Sequence, residues 1–298
     1  MNIRVVLGDI VGYLLLLYWK IVEKRKFNFR VQLLSIYFHN PQKKVFENVI
    51  GLLCRSGYRF ISIDELYSIM NSKAKLSTKT ALITLDDAWL GNLANVIPLI
   101  EQQHIPITIF ISTEPLKDGV LWLKYFRDKT LCRQYETIFP ELKFSNPKKL
   151  STMRRNEIWK VLRSEKKYER EIMTEKNIQE LSKSKYITIG SHTVSHPILP
   201  NCNGGELRYE LSESQQELQK ITDSVVKSLT YPNGDYNDNV IEECKRVGYT
   251  MAFTTEPRLL DIKKDSLYRL PRYCVPDNFG KYESIARALG IWSKFFKI

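Results

Sequence analysis

The sequence predicts an α/β fold of the (β/α) barrel type, and three observations point to it. From Leu33 onward, short apolar runs rich in β-branched and aromatic residues alternate with longer amphipathic stretches over about 250 residues. No internal repeat and no Gly/Ser/Pro-rich linker divides the chain, so one domain is the simpler reading of 298 residues with 43% apolar and 26% charged side chains. The polar residues His39, Asp86, Asp87, His192 and Arg272 each sit at, or just past, the end of an apolar run. An open parallel sheet would also suit the alternation. In a barrel, however, the carboxyl ends of the strands converge on one face, and residues distant in sequence become neighbours there.

The N-terminus carries the uncharged stretch Ile10 to Trp19 between Asp9 and Lys20. It is short for a membrane span of about 20 residues. It also lacks a small-residue cleavage pattern, being followed by Lys20, Lys24, Arg25, Lys26 and Arg30. Residues 1–30 are therefore expected to form a membrane-proximal helix lying in the headgroups of an anionic surface, the alternative being a first helix packed on the core. Positive residues after the apolar stretch favour the cytoplasmic side, peripheral at the inner face of the cytoplasmic membrane. Strands are expected at Leu33 to His39, Arg59 to Ile63, Ala81 to Asp86, Ile107 to Ser112, Tyr186 to Ser191, Ser228 to Tyr231, Met251 to Thr254 and Tyr268 to Val275. Helices are expected near 42–56, 91–103, 204–222, 237–247 and 279–289. The charged stretch 117–185 interrupts the alternation and reads as a helical insertion over or beside the site face of a barrel spanning 31–298.

Charge is unevenly placed. Lys and Arg number 45 against 33 Asp and Glu, a net +12. Residues 1–30 hold six basic and two acidic residues, 117–185 hold eighteen and ten, and the remainder balances at 21 each. A neutral body with two basic additions suits an anionic substrate or surface. No helix-turn-helix, zinc-finger or aromatic RNA-binding signature accompanies the charge, so no nucleic-acid partner is expected. The five cysteines are odd in number and contain no CxxC pair, which suggests neither a disulfide framework nor a thiolate metal site.

Two constellations carry chemistry. Asp86 and Asp87 end the apolar run Ala81-Leu82-Ile83, where adjacent carboxylates can take separate jobs in one site. His192 and His196, in Ser191-His192-Thr193-Val194-Ser195-His196-Pro197, have a spacing at which two imidazoles can converge on a metal, here from a tight loop because Gly190 and Pro197 disfavour a long helix. Asp87, His192 and His196 together would make a two-His, one-carboxylate set suited to zinc first, with cobalt, nickel or iron compatible, rather than to calcium. Asp86, beside a ligand, could serve as the base that takes a proton from water.

These motifs, with Thr230-Tyr231-Pro232-Asn233-Gly234-Asp235-Tyr236 after the next helix, resemble the polysaccharide deacetylase family, also called the NodB-homology or carbohydrate esterase 4 family, from about Leu33 to Val275. The resemblance implies a distorted (β/α) barrel and metal-dependent hydrolysis of N-acyl groups from amino sugars. It matches Asp86 to the base, and Asp87, His192 and His196 to the metal triad. Three departures stand out. The family's first motif reads Asp-Asp-Gly, and this chain has Ala88 followed by Trp89; if position 88 needs a positive φ, Ala is costlier than Gly. The third motif often carries an Arg that pairs with the catalytic Asp, and none is found in Leu229-Thr230-Tyr231-Pro232, so Arg269 or Arg272 is the candidate replacement. The C-terminal Leu-x-His motif is missing, since no histidine follows His196, and His39 is the candidate general acid.

The reaction expected is removal of an acetyl or formyl group from an amino sugar in a cell-surface glycan or its lipid- or nucleotide-linked precursor. The backbone N–H of Asn233 would hold the oxyanion, as the family suggests, and Tyr231 and Trp89 would shape the acyl pocket, stack on the sugar or simply pack in the core. The basic segments favour a phosphate-bearing precursor, as in lipopolysaccharide assembly. The competing reading is a noncatalytic carbohydrate- or lipid-binding protein on the same fold, to which the three departures lend weight.

Overall fold

The computed structural model describes residues 3–23, 29–72, 74–143 and 147–296, so Lys24, Arg25 and Lys26 of the basic run lie outside the described residues. The strands are β1 (Gln32–Phe38), β2 (Arg59–Phe60), β3 (Thr80–Asp86), β4 (Ile107–Ile111), β5 (Ile187–Ser191), β6 (Ser228–Thr230), β7 (Met251–Phe253), β8 (Leu260–Asp261) and β9 (Tyr273–Cys274). They form one curled sheet in the order β7-β6-β5-β4-β3-β1-β8, with β2 on β3 and β9 on β1. All pairings are parallel except β1 with β8. The segment 267–275 links the β7 edge back to β1: Leu270 N–H donates to Ala252 O (3.1 Å), Thr254 N–H to Leu270 O (2.8 Å) and Val275 N–H to Tyr37 O (3.0 Å).

The helices are α1 (Ile3–Tyr18), α2 (Lys43–Arg55), α3 (Ile63–Ser72), α4 (Asn92–Asn95), α5 (Ile97–Gln103), α6 (Thr113–Asp118), α7 (Leu123–Arg127), α8 (Lys129–Tyr135), α9 (Thr152–Glu165), α10 (Glu175–Leu181), α11 (Gly204–Thr222), α12 (Asp238–Val247), α13 (Lys281–Ala288) and α14 (Trp292–Phe295). Strand alternation sorts the core. Leu34, Ile36, Phe38, Ile83, Leu85, Ile107 and Ile109 face the surrounding helices. Leu33, Leu82, Phe110, Met251, Phe253 and Leu270 fill the inside of the curl. Continuing the inward series of β3 by twos from Leu82 gives Thr84 and then Asp86. A separate cluster of Val120, Trp122, Tyr125, Leu131, Ile158, Trp159 and Leu162 gives the basic insertion its own small core.

Three expectations need correction. Arg59 to Ile63 is a strand only at Arg59–Phe60, because Ser62 turns the chain into α3 and its Oγ accepts the Glu65 N–H (3.1 Å). The helix near 91–103 is two short ones, with Pro98 in the first turn of α5 unable to supply the N–H that would join them. Tyr268 to Val275 is not a continuous strand: Pro271 interrupts it between an isolated bridge at Leu270 and β9. The N-terminal helix is longer than its uncharged stretch and lies along α13, where Gly12 permits the contact: a Cβ there would sit 2.4 Å from Glu283 N.

Candidate active site

The candidate site lies where β1, β3, β5 and β6 end. Register sets it up: Asp86 is opposite Phe110, Phe110 opposite Gly190, and Ser191 opposite both Ile111 and Leu229. His39, Asp86 and His192 thereby reach one cavity of about 490 Å³, joined by Asp87, His196, Trp89, Tyr231 and Asn233. Along an ideal strand Asp87 would point away from Asp86. Positive φ values at Asp87 (70°) and Ala88 (52°) break that alternation and return the second carboxylate to the same cavity. Thr193 (73°), His196 (55°) and Asn233 (57°) are left-handed too, so the strained backbone of this chain is concentrated at the cavity.

Asp87, His192 and His196 are buried, and one ligand atom from each lies within 4.8 Å of the others. Asp87 Oδ1 is 3.5 Å from His192 Nε2 and 3.6 Å from His196 Nε2. That oxygen is buried and has no hydrogen-bond partner, as is His196 Nδ1. An unpartnered buried carboxylate oxygen facing two imidazoles is what a cation-binding donor set looks like without its ion, so the residues fit a divalent metal. His192 Nδ1 lies 2.7 Å from Thr230 O, which fixes that nitrogen as the protonated one and leaves Nε2 with its lone pair toward Asp87. Burial, with help from neighbouring His192, pushes the His196 imidazole down to about 3, keeping it in the neutral, ligating form. Trp89 Nε1 donates to Asp87 Oδ2 at 3.2 Å and so orients the carboxylate.

Asp86 is fully buried against Arg272 in a two-pronged ion pair: Nη1 to Oδ1 and Nη2 to Oδ2, both 2.8 Å. Burial acts to raise the Asp86 carboxyl, yet the Arg272 charge and hydrogen bonds, with smaller effects of His192 and His39, hold it below the usual carboxylate range. Arg272 also donates to Thr84 Oγ1 (2.8 Å) and to Thr254 O (3.1 Å), and lies over the Tyr37 ring at 4.3 Å. Of the two arginines left open by the sequence, Arg272 reaches the carboxylate, and Arg269 instead pairs with exposed Asp238 at 2.6 Å. His39 lines the cavity edge-on to Tyr37, with ring centroids 5.5 Å apart. Tyr231 is a buried wall: its hydroxyl donates to Tyr268 O (3.0 Å) and its ring stacks on Tyr236. Asn233 lines the same cavity with a buried, unpartnered Nδ2.

Sequence reading missed the residues that hold the His192–His196 loop. Glu210 of α11 accepts the N–H groups of Val194 and Ser195 (both 2.9 Å) and the Ser195 hydroxyl (2.5 Å). Arg155 of α9 donates to Ser195 Oγ (2.9 Å), and Trp122 Nε1 to His196 O (2.9 Å). The signal was present: Glu210 and Arg155 fall on the inward stripes of their helices, in phase with Leu207, Leu211 and Leu218 and with Ile158 and Leu162. The insertion thus braces the loop from behind and also supplies Lys124, Arg127 and Lys148 to the cavity wall.

A family model described as polysaccharide deacetylase matches residues 73–252, more than half of the chain and all of the Asp86-to-Asn233 site. The chain belongs to the polysaccharide deacetylase family. Among curated members, YxkH of Bacillus subtilis is 21% identical over 215 residues, covering 72% of this chain, which spans 58% of that protein's length. The poly-beta-1,6-N-acetyl-D-glucosamine N-deacetylase of Staphylococcus aureus is 22% identical over 252 residues, covering 82% of this chain and 73% of its own. Among solved structures, the Streptococcus pyogenes deacetylase PplD in complex with acetate has a TM-score of 0.63 at 16% identity, covering 87% of this chain and 99% of PplD. IcaB from Ammonifex degensii has a TM-score of 0.59 at 14% identity, covering 87% and 97%. These likenesses bear on the fold, which is the curled α/β sheet of the family.

Proposed function

We propose that the protein hydrolyses an N-acyl group, acetyl or formyl, from an amino sugar in a cell-surface glycan or its lipid- or nucleotide-linked precursor. The observation that carries this reading is the unpartnered Asp87 oxygen facing two imidazoles beside a second carboxylate locked by Arg272. Asp87, His192 and His196 would hold a divalent cation, zinc foremost, and such an ion supplies Lewis-acid polarisation of water and of the acyl carbonyl. Asp86, kept ionised by Arg272, takes the proton of the attacking water through a lone pair the guanidinium leaves free. The Asn233 backbone N–H stabilises the oxyanion. His39 donates a proton to the departing amine, completing the acid–base pair. Tyr231 and Trp89 form the walls of the acyl pocket, and Trp89 additionally fixes the rotamer of Asp87.

The staphylococcal relative's named substrate supports a glycan substrate here. The basic wall supports one bearing an anionic group: Arg127 lines the cavity with no carboxylate partner among the described residues, Lys148 lines it too, and Lys124 pairs with Glu171. A phosphate-bearing amino sugar is therefore expected to be turned over faster than its neutral counterpart, and Arg127→Gln to erase the preference.

The deciding experiment is elemental analysis of protein purified without a metal-affinity tag, beside a His192→Ala, His196→Ala variant, followed by acetate release from N-acetylglucosamine oligomers. About one metal per chain, absent from the variant, with acetate release lost in Asp86→Asn although metal is kept, is the expected result. No metal after reconstitution with zinc or cobalt would instead favour the noncatalytic carbohydrate-binding reading, which the glycine-like backbone of Ala88 keeps alive.

A further inference from the structure

Helix α1 has two faces of different fate. On one, Gly8 and Gly12 lie against Glu283, Tyr13 meets Tyr282 edge-on, and Asp9 Oδ1 accepts the Tyr282 and Glu283 N–H groups (2.5 and 3.1 Å) at the start of α13. On the other, Ile3, Leu7, Ile10, Leu14 and Leu17, continued by Ile21, recur at alternating spacings of four and three. They form one apolar stripe whose members are 39–84% exposed. Tyr13 and Tyr18 flank the stripe, and Phe295 and Phe296 of the C-terminal segment stand exposed beside it, with Phe295 5.6 Å from Tyr18 between ring centroids. A continuous row of this kind marks an interaction surface rather than scattered exposure.

We infer that this face docks on an anionic lipid bilayer, with α1 lying in the interface plane. Its charge selects that occupant. Asp9 is the only acidic residue of α1 and is spent on α13. The cations Arg4 and Lys20 lie toward its two ends, and the sequence continues into Lys24, Arg25, Lys26 and Arg30. Residues 1–30 hold six basic and two acidic residues, so a second copy paired through the stripe would bring like net charge together, whereas lipid phosphates supply the opposite sign. Tyrosine and phenylalanine at the margins suit the headgroup level. The helix lies on the membrane and does not cross it: among the described residues no helix is long and apolar enough to cross a membrane. The docking is independent of the chemistry in the cavity, so it stands or falls apart from the deacylation reading.

The test is flotation of the full chain with vesicles of phosphatidylcholine alone and of phosphatidylcholine with phosphatidylglycerol. The wild type is expected to float with the anionic vesicles and to be released from them by salt. Leu7→Gln with Leu14→Gln is expected to bind about tenfold or more weakly, since two leucines of the stripe no longer enter the bilayer, with an unchanged thermal midpoint because both side chains are exposed. Should that pair disturb folding, Ile21→Gln, beyond the α13 contact, is expected to weaken binding by itself. Equal partition into neutral and anionic vesicles overturns the inference. So does a wild-type dimer in solution that the same substitutions return to monomer.

Discussion

Arg272→Met tests whether the buried ion pair holds the site together. The guanidinium makes four hydrogen bonds, two to Asp86 and one each to Thr84 and Thr254, and neither member of the pair is exposed. Removing one partner of a buried pair strands the other charge, a loss of about 3–5 kcal/mol. Asp86→Asn strands the guanidinium instead and should destabilise by a similar amount. The double variant strands neither, so it should lose less than the sum, with a coupling of at least about 2 kcal/mol. Urea unfolding followed by tryptophan fluorescence measures all four proteins. The pH dependence adds a sign. In the wild type the folded Asp86 carboxyl titrates below its unfolded value, so the pair's stabilisation is present above that unfolded value and is lost as pH falls through the folded one. Without Arg272, burial is opposed only by the smaller effects of His192 and His39 and raises the group, so the variant loses stability as pH rises past about 4. The gap between wild type and Arg272→Met should therefore be widest near neutrality and close in acid. Additivity of the two substitutions within about 0.5 kcal/mol, or a gap independent of pH, would refute the reasoning.

Other outcomes follow from single contacts. Trp89→Phe removes the indole donor to Asp87 Oδ2 while keeping an aromatic wall, and zinc affinity, read by competition with a chelator, should fall about 10–100-fold; unchanged affinity would leave Trp89 a wall only. Glu114 is pushed up to about 7, first by burial and then by Asp118 and Glu210, against the pull of Arg155 and Arg163. Its folded form holds the proton more tightly than the unfolded chain, so its contribution to stability falls as pH rises from about 4.5 to about 7. Glu114→Gln should accordingly raise the thermal midpoint above pH 7 and leave it little changed near pH 4.5, and a uniform shift would contradict this. At Gly190 a Cβ would lie 2.5 Å from the Phe110 ring, so Gly190→Ala should lower stability by about 1–3 kcal/mol, and Phe110→Leu should restore part of it; equal stability of Gly190→Ala and wild type in urea would show that the ring has room to move.

The sequence by itself determined the parallel α/β succession and the candidate donors, because strands of β-branched residues and paired Asp and His motifs are local signals. The Ser62-to-Glu65 helix start is equally local, but the apolar run before it reads through into Ile63 and masks it. Only tertiary structure decided which arginine meets Asp86. Arg269 and Arg272 stand three residues apart on a segment broken by Pro271, and the turn of that segment into the curl buries one and leaves the other at the surface. The left-handed backbone at Asp87 and Ala88, which brings both carboxylates into one cavity against strand alternation, was likewise beyond local reading, because no glycine marks it. The bracing of the histidine loop by Glu210, Arg155 and Trp122 joins segments 15 to 74 residues apart in sequence. The two faces of α1 differ for the same reason: apolar residues lie on both, and contact with α13 covers one side and leaves the other to solvent.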